Sequence, residues 1–246
     1  MVLESVQGIL YLFTSFSAMM AVFFAFKVLI SLFKKKSKNP GKKAITLIFS
    51  LFAIGVFFIA SAEIIWSILF ISTGITPAVG LTDILWVIGY IFLIAGFFYF
   101  MVYICLLNKQ CFGDLLFTLI VTAIVTYFIS FLLQQYVISF QNGESIFEIF
   151  LAYFYPLSSV IMLIFSFSVY NQFKRIDELG IPLIYLAFAI LVQFVADLIF
   201  VYSNLNGIYG ALGILSDILY IMEYLIIAFA FYLLYAQLNK KKGANA

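Results

Sequence analysis

The sequence predicts an all-α membrane protein of seven transmembrane helices, with the N-terminus outside and the C-terminus cytoplasmic. Three observations carry that reading. Of the 246 residues, 66% are hydrophobic and only 10% are charged, against about a quarter charged in globular domains. Apolar runs long enough to cross a bilayer, which takes about 20 residues at about 1.5 Å each, recur seven times. The basic residues between those runs fall in alternate loops.

The spans read as 7–33, 44–72, 82–107, 115–136, 146–170, 181–203 and 212–238. The first is preceded by Glu4 and no cation, and followed by KKKSKNPGKK at Lys34 to Lys43. A secretory signal peptide has its positive charges first, so this span is expected to stay as a helix with its N-terminus outside. The second and third spans are joined around Gly74 to Gly80, the fourth and fifth around Gln141 to Ser145, and the sixth and seventh around Asn204 to Gly210; none of these turns holds a cation. Lys109 sits in the third loop, Lys174 and Arg175 in the fifth, and Lys240, Lys241 and Lys242 in the tail. The positive-inside rule puts those loops in the cytoplasm, and Lys27 reaches the same surface by snorkelling. Pro156 falls inside the fifth span and is expected to kink it. The aromatic run FFYFMVY at Phe97 to Tyr103 reads as lipid-facing surface and interfacial belt and not as a stacking site. A multi-pass protein of the plasma membrane follows, with the lipid bilayer as its first partner.

Composition also bounds the chemistry. With no histidine in the chain, haem ligation by imidazole, His-based zinc hydrolysis and Ser-His or Cys-His pairs are excluded. Cys105 and Cys111 are too few for a disulfide framework and are expected free at the cytoplasmic side. No nucleophile–base pair or metal set is visible, so no enzyme activity is expected. The basic residues sit in short loops and not on a soluble face, so no nucleic-acid partner is expected.

One ten-residue stretch organises the rest. LTDILWVIGY at Leu81 to Tyr90 recurs as LSDILYIMEY at Leu215 to Tyr224, with Asp83/Asp217, Trp86/Tyr220 and Tyr90/Tyr224 in register. At the same offset Ala62 and Glu63 stand opposite Ala196 and Asp197. The plan predicted is two parallel three-helix repeats, about 7–107 and about 146–238, joined by a linking helix at about 115–136. Spans one and five align only by position.

In each copy the acid, the aromatic at i+3 and the tyrosine at i+7 form one helical stripe. Glu63, Asp83, Asp197 and Asp217 should gather in the extracellular half with no lysine or arginine beside them. They cannot all be ionised cheaply in low dielectric, so they are protonated, solvated by a cavity, or matched to a bound cation or ligand amine. The structural alternative for Asp83 and Asp217 is a helix start, the acid following a hydroxyl cap at Thr82 or Ser216. For Glu63 and Asp197 it is a hydrogen bond to a motif tyrosine, Thr82 or Ser216. Glu223 lies about 9 Å deeper than Asp217 along its helix, opposite Gly89 in the other copy. It reads as a functional acid near mid-membrane, or as a protonated side chain bonded to Gln193, Tyr185 or Asn204. Gly89 reads as a point of close helix approach.

The segments AEIIWSILFISTGITPAVGLTDILWVIGYIFLIAGF and ADLIFVYSNLNGIYGALGILSDILYIMEYLIIAFAF resemble the seven-helix membrane sensor domains at the N-termini of some archaeal and bacterial signalling proteins. That family's Ala-acid pair and Asp-x-x-Tyr/Trp with a Tyr four residues on match Ala62, Glu63, Asp83, Trp86, Tyr90 and Ala196, Asp197, Asp217, Tyr220, Tyr224. The resemblance implies a sensor, and because no output domain follows Leu238 it implies a separate cytoplasmic signalling partner. The overall plan is also similar to microbial rhodopsins, but Ile221 stands where their retinal lysine would be and the span has no lysine, so no covalent retinal or other cofactor is expected. Parallel three-helix repeats are also the plan of small sugar and amino-acid transporters, whose proline-glutamine signature is missing. The expected function is a receptor-like module with a cavity walled by Trp86, Tyr90, Tyr220 and Tyr224, lined by the four acids and floored by Glu223, possible as a homo-oligomer. A transporter coupled to protonation of Glu223 is the alternative.

Overall fold

A computed structural model describes residues 2–34, 40–74, 79–107, 112–137, 145–173, 180–206 and 210–243. Lys35, Lys36, Lys38, Pro77, Lys109, Cys111, Lys174, Arg175 and most of the 141–145 turn lie outside the described residues. The described chain is helical: α1 (Val2–Lys34), α2 (Pro40–Thr73), α3 (Leu81–Leu107), α4 (Phe112–Leu132), α5 (Ile146–Phe173), α6 (Gly180–Leu205) and α7 (Gly210–Gly243). A π-helical turn, Leu133–Val137, extends α4. All seven are long and apolar enough to cross a membrane. Helix is the conformation in which an apolar segment satisfies its own backbone groups without water.

Local signals set the helix ends. Gly74, at φ 71°, donates its N–H to Phe70 O at 2.8 Å, the left-handed cap that favours glycine. Ser145 and Glu148 form a reciprocal capping box on α5, Ser145 N–H to Glu148 Oε2 at 2.6 Å and Glu148 N–H to Ser145 Oγ at 3.3 Å. Helix α2 starts at Pro40, so Lys42 and Lys43 belong to its first turn and not to a loop. Helix α5 runs through Pro156, whose missing N–H leaves the Ala152 carbonyl without its helical donor.

Six helices form a ring. Helix α2 packs on α1 and α3, α6 on α5 and α7, and the ring closes through α1 against α7 and α3 against α5. Small residues make the closest approaches: Ala18, Ala21 and Ala25 are buried on one stripe of α1. A Cβ at Gly89 would meet Ile59 Cγ1 at 2.5 Å and Gly55 O at 2.9 Å, so Gly89 is the point where α3 and α2 touch. Helix α4 stands outside the ring, packing on α5 and touching α3. Only Thr118 and Thr122 are buried on its α-helical part, and Thr118 Oγ1 shares a 3.1 Å hydrogen bond with Ser168 Oγ.

The half of the ring holding Lys34, Lys42 and Lys240 has an apolar interior. Phe49, Phe52, Phe97, Phe100 and Met101 are buried there with Leu183, Leu186, Phe231 and Leu234. This corrects the lipid-facing assignment of Phe97 to Tyr103. Within that run Phe97, Phe100 and Met101 point into the ring and Phe98 points out, because a helix turns successive residues through its whole circumference.

Candidate functional site

The opposite half of the ring is polar inside. There the N-terminal halves of α1, α3, α5 and α7 meet the C-terminal halves of α2 and α6, which brings both copies of the repeated stretch together. Glu63 and Asp197 are buried, at 8% and 2% exposure, and each is held by aromatic donors from two helices.

Glu63 Oε1 accepts Trp86 Nε1–H at 3.1 Å and Tyr224 O–H at 2.7 Å. Asp197 Oδ1 accepts Tyr220 O–H at 2.8 Å, and the Tyr90 hydroxyl lies 3.3 and 3.2 Å from Oδ1 and Oδ2. The pattern is reciprocal. Each acid takes the i+3 aromatic of its own segment and the i+7 tyrosine of the other segment. The hydrogen bonds to tyrosine therefore tie α2 to α7 and α3 to α6 across the ring. Of the alternatives for Glu63 and Asp197, the motif tyrosines hold, while Thr82 and Ser216 take no part. Thr82 Oγ1 is buried without a partner among the described residues, and Ser216 Oγ donates to Gly213 O at 2.8 Å.

Asp83 and Asp217 are not equivalent. Asp83 Oδ2 accepts the Gly80 N–H at 2.8 Å, as an acid in the first turn does, and Oδ1 accepts Tyr155 O–H at 2.8 Å. For Asp83 the helix-start reading holds in the acid alone, since Thr82 lies inside α3 and its Oγ1 caps nothing among the described residues. The reading fails for Asp217, because α7 begins at Gly210 and Asp217 lies two turns inside it, past the reach of the end dipole.

A cavity of about 50 Å³ lies between these groups. At about 10–15 Å³ per water it has room for roughly three to five waters, or for a ligand of a few heavy atoms. Glu63, Asp197 and Asp217 line it, together with Trp86, Tyr90, Tyr220 and Tyr224. Tyr11, Thr14, Trp66, Tyr155 and Phe200 complete the wall, and no lysine or arginine is part of it. The rings pack edge to face or tilted, Trp66 on Trp86 at 5.4 Å, Trp86 on Tyr155 at 6.3 Å and Tyr155 on Tyr90 at 5.8 Å between centroids. Such contacts hold the wall rigid.

Two expected members stand outside it. Asp83 is buried behind Tyr155, its hydrogen-bond partner and a wall residue. Glu223 is 1% exposed and is not part of the lining, so the assignment of Glu223 as the cavity floor is corrected to a position behind the wall. The expected bonds from Glu223 to Gln193, Tyr185 or Asn204 are not formed, and Oε2 has no hydrogen-bond partner among the described residues.

Tyr11, Trp66, Tyr155 and Ser159 were not among the expected site residues, although the sequence holds a signal for Tyr11, Tyr155 and Ser159. Tyr11-Leu-Phe-Thr-Ser15 on α1 and Tyr155-Pro-Leu-Ser-Ser159 on α5 are a second repeated pattern, at a longer offset than the Asp83/Asp217 pair. The extra length lies in the last turns of α1 and the first turns of α2, which run longer than their counterparts in α5 and α6 and displace one register from the other. Ser159 Oγ donates to Asp197 Oδ2. Ser15 Oγ instead donates to Glu63 O at 2.9 Å and pairs with Ser67 Oγ at 2.7 Å. Among the described residues, no group of three or more Cys, Asp or Glu side chains is arranged to hold a metal ion.

No family model matches this chain, and neither a curated protein nor a solved structure matches it.

Proposed function

We propose that this chain is a receptor-like membrane module, built of two related halves, that binds a small ammonium-type cation in the acidic, aromatic cavity and passes the change in packing to a cytoplasmic partner. The observation that carries the reading is the composition of the wall. Three carboxylates and eight aromatic residues surround about 50 Å³ with no basic residue among them. An ammonium group answers both features, since carboxylates offset its charge and ring faces attract it. The carboxylates are spread around the wall and not gathered as metal ligands, which favours a ligand with several N–H donors over a bare metal ion. The cavity size selects an amine of a few heavy atoms.

The positive-inside distribution orients the cavity outward. Across the ring, Tyr224 to Glu63 and Tyr90 to Asp197 join the two halves. A cation drawing on either carboxylate weakens those bonds and loosens one half from the other. Relative movement of two parallel halves is also how a pseudosymmetric transporter would work, so that reading stands second. Methylammonium uptake into proteoliposomes, measured beside equilibrium binding, decides between the two. Saturable binding without flux supports the receptor reading, flux abolished by Glu63→Gln supports transport, and neither binding nor flux refutes both.

A further inference from the structure

Two acids of this region stand outside the wall, Asp83, which is hydrogen-bonded to Tyr155 and the Gly80 N–H, and Glu223. The Glu223 side chain is 1% exposed, and its Oε2 is sealed from solvent without a hydrogen-bond partner among the described residues. By contrast, Glu63 has two ring donors, Asp197 has two tyrosines and a serine, and Asp83 has a tyrosine and a backbone N–H. A buried carboxylate is tolerable when donors surround it, and without them the neutral acid is the stable form.

The ionisable groups around Glu223 come from several helices. Asp197 on α6 and Glu63 on α2 are close enough to repel a negative charge on it. Tyr90 on α3 and Tyr220 and Tyr224 on α7 itself are also within its electrostatic reach. On α1, which packs against α7, the described ionisable side chains are Tyr11 in the cavity wall, Lys27 over the lipid-exposed ring of Phe23, and Lys34 at the far end. No cation therefore stands ready to offset a Glu223 carboxylate.

We infer that Glu223 is a proton-binding site whose proton is given up when a cation enters the cavity, so that cation binding and proton release are one exchange. This rests on the cation-binding reading above. The step balances: one cation enters, the Glu223 carboxylic acid loses one proton to the outer aqueous phase, and the buried region keeps its net charge. A cation beside Glu63 and Asp197 weakens the repulsion that opposes ionisation of Glu223.

The test is infrared difference spectroscopy on the full chain in lipid nanodiscs, with methylammonium as the probe and a pH indicator dye in weak buffer. The expected result is a carboxylic-acid carbonyl band that is absent in Glu223→Gln, that falls as methylammonium saturates the wild type, and that is matched by about one proton released per cation bound. Should E223Q fail to fold, Glu223→Asp replaces it and must move the band. A band that survives in E223Q, or cation binding with the Glu223 band unchanged, overturns the inference. Failure of the parent reading is distinguished by the absence of any methylammonium-induced change while the Glu223 band is present, and that outcome overturns the exchange as well.

Discussion

Tyr224→Phe removes one hydroxyl and leaves the ring in place, so its cost isolates the hydrogen bond to Glu63. That bond is 2.7 Å and buried, and the remaining donor to Glu63 Oε1 is Trp86 at 3.1 Å. Hydrogen bonds to charged groups contribute about 1.5–3 kcal/mol in soluble proteins, whereas interhelical bonds in membranes average about 0.6 kcal/mol and reach about 1.7 kcal/mol. A buried bond of this length to a two-donor acid belongs at the upper end of the membrane range, about 1–1.7 kcal/mol. Tyr90→Phe provides the internal comparison. Its contacts to Asp197 are longer, 3.2 and 3.3 Å, and Asp197 keeps Tyr220 and Ser159, so its loss should be about 0.5 kcal/mol. The assay is reversible unfolding in mixed micelles, with a double-mutant cycle pairing Tyr224→Phe and Glu63→Gln. A coupling near 1 kcal/mol is expected for the pair. If Tyr90→Phe costs as much as Tyr224→Phe, or the cycle shows no coupling, the reciprocal arrangement does not carry the energy assigned to it.

The inequivalence of the two motif acids gives a second prediction. Asp83→Asn should lower stability by about 1 kcal/mol through Gly80 and Tyr155, and leave methylammonium affinity within about threefold. Asp217→Asn should lower affinity by about tenfold or more, or about 1.4 kcal/mol, with a smaller effect on unfolding; the opposite ranking would refute the placement of Asp217 in the cavity wall. At Gly89 even alanine puts a Cβ 2.9 Å from the Gly55 carbonyl, so Gly89→Ala should cost about 1–3 kcal/mol, and an unfolding midpoint equal to wild type would contradict the close approach of α2 and α3.

Much of this architecture was legible because the bilayer imposes a simple rule. Apolar length gives the spans, and all seven predicted segments are helices in the fold, with ends that differ by a few residues. Trp86, Tyr90, Tyr220 and Tyr224 do share the cavity with Glu63 and Asp197, while of the two stripe acids only Asp217 lines it and Asp83 does not. What the repeat could not give was the difference between its copies. Ser216 and Asp217 look like a helix start in the sequence, yet Gly210 to Leu215 is apolar and glycine-containing, and it continues as helix in front of them. Phe97, Phe100 and Met101 face inward, which periodicity alone does not reveal in a span that is apolar on every side. Tyr11 and Tyr155 were hidden for a different reason. Their register is offset by the longer α1 and α2 of the first half, so an ungapped alignment anchored on Asp83 and Asp217 passes over them.

Equilibrium binding of methylammonium to the purified chain in nanodiscs, beside the bulkier tetrapropylammonium, tests the central assignment most directly. Saturable methylammonium binding, weakened at least tenfold by Glu63→Gln and by Asp197→Asn, with no binding of the bulkier ion, is the predicted result. Absence of saturable binding, or binding that survives both substitutions together, would contradict the cavity as a cation site.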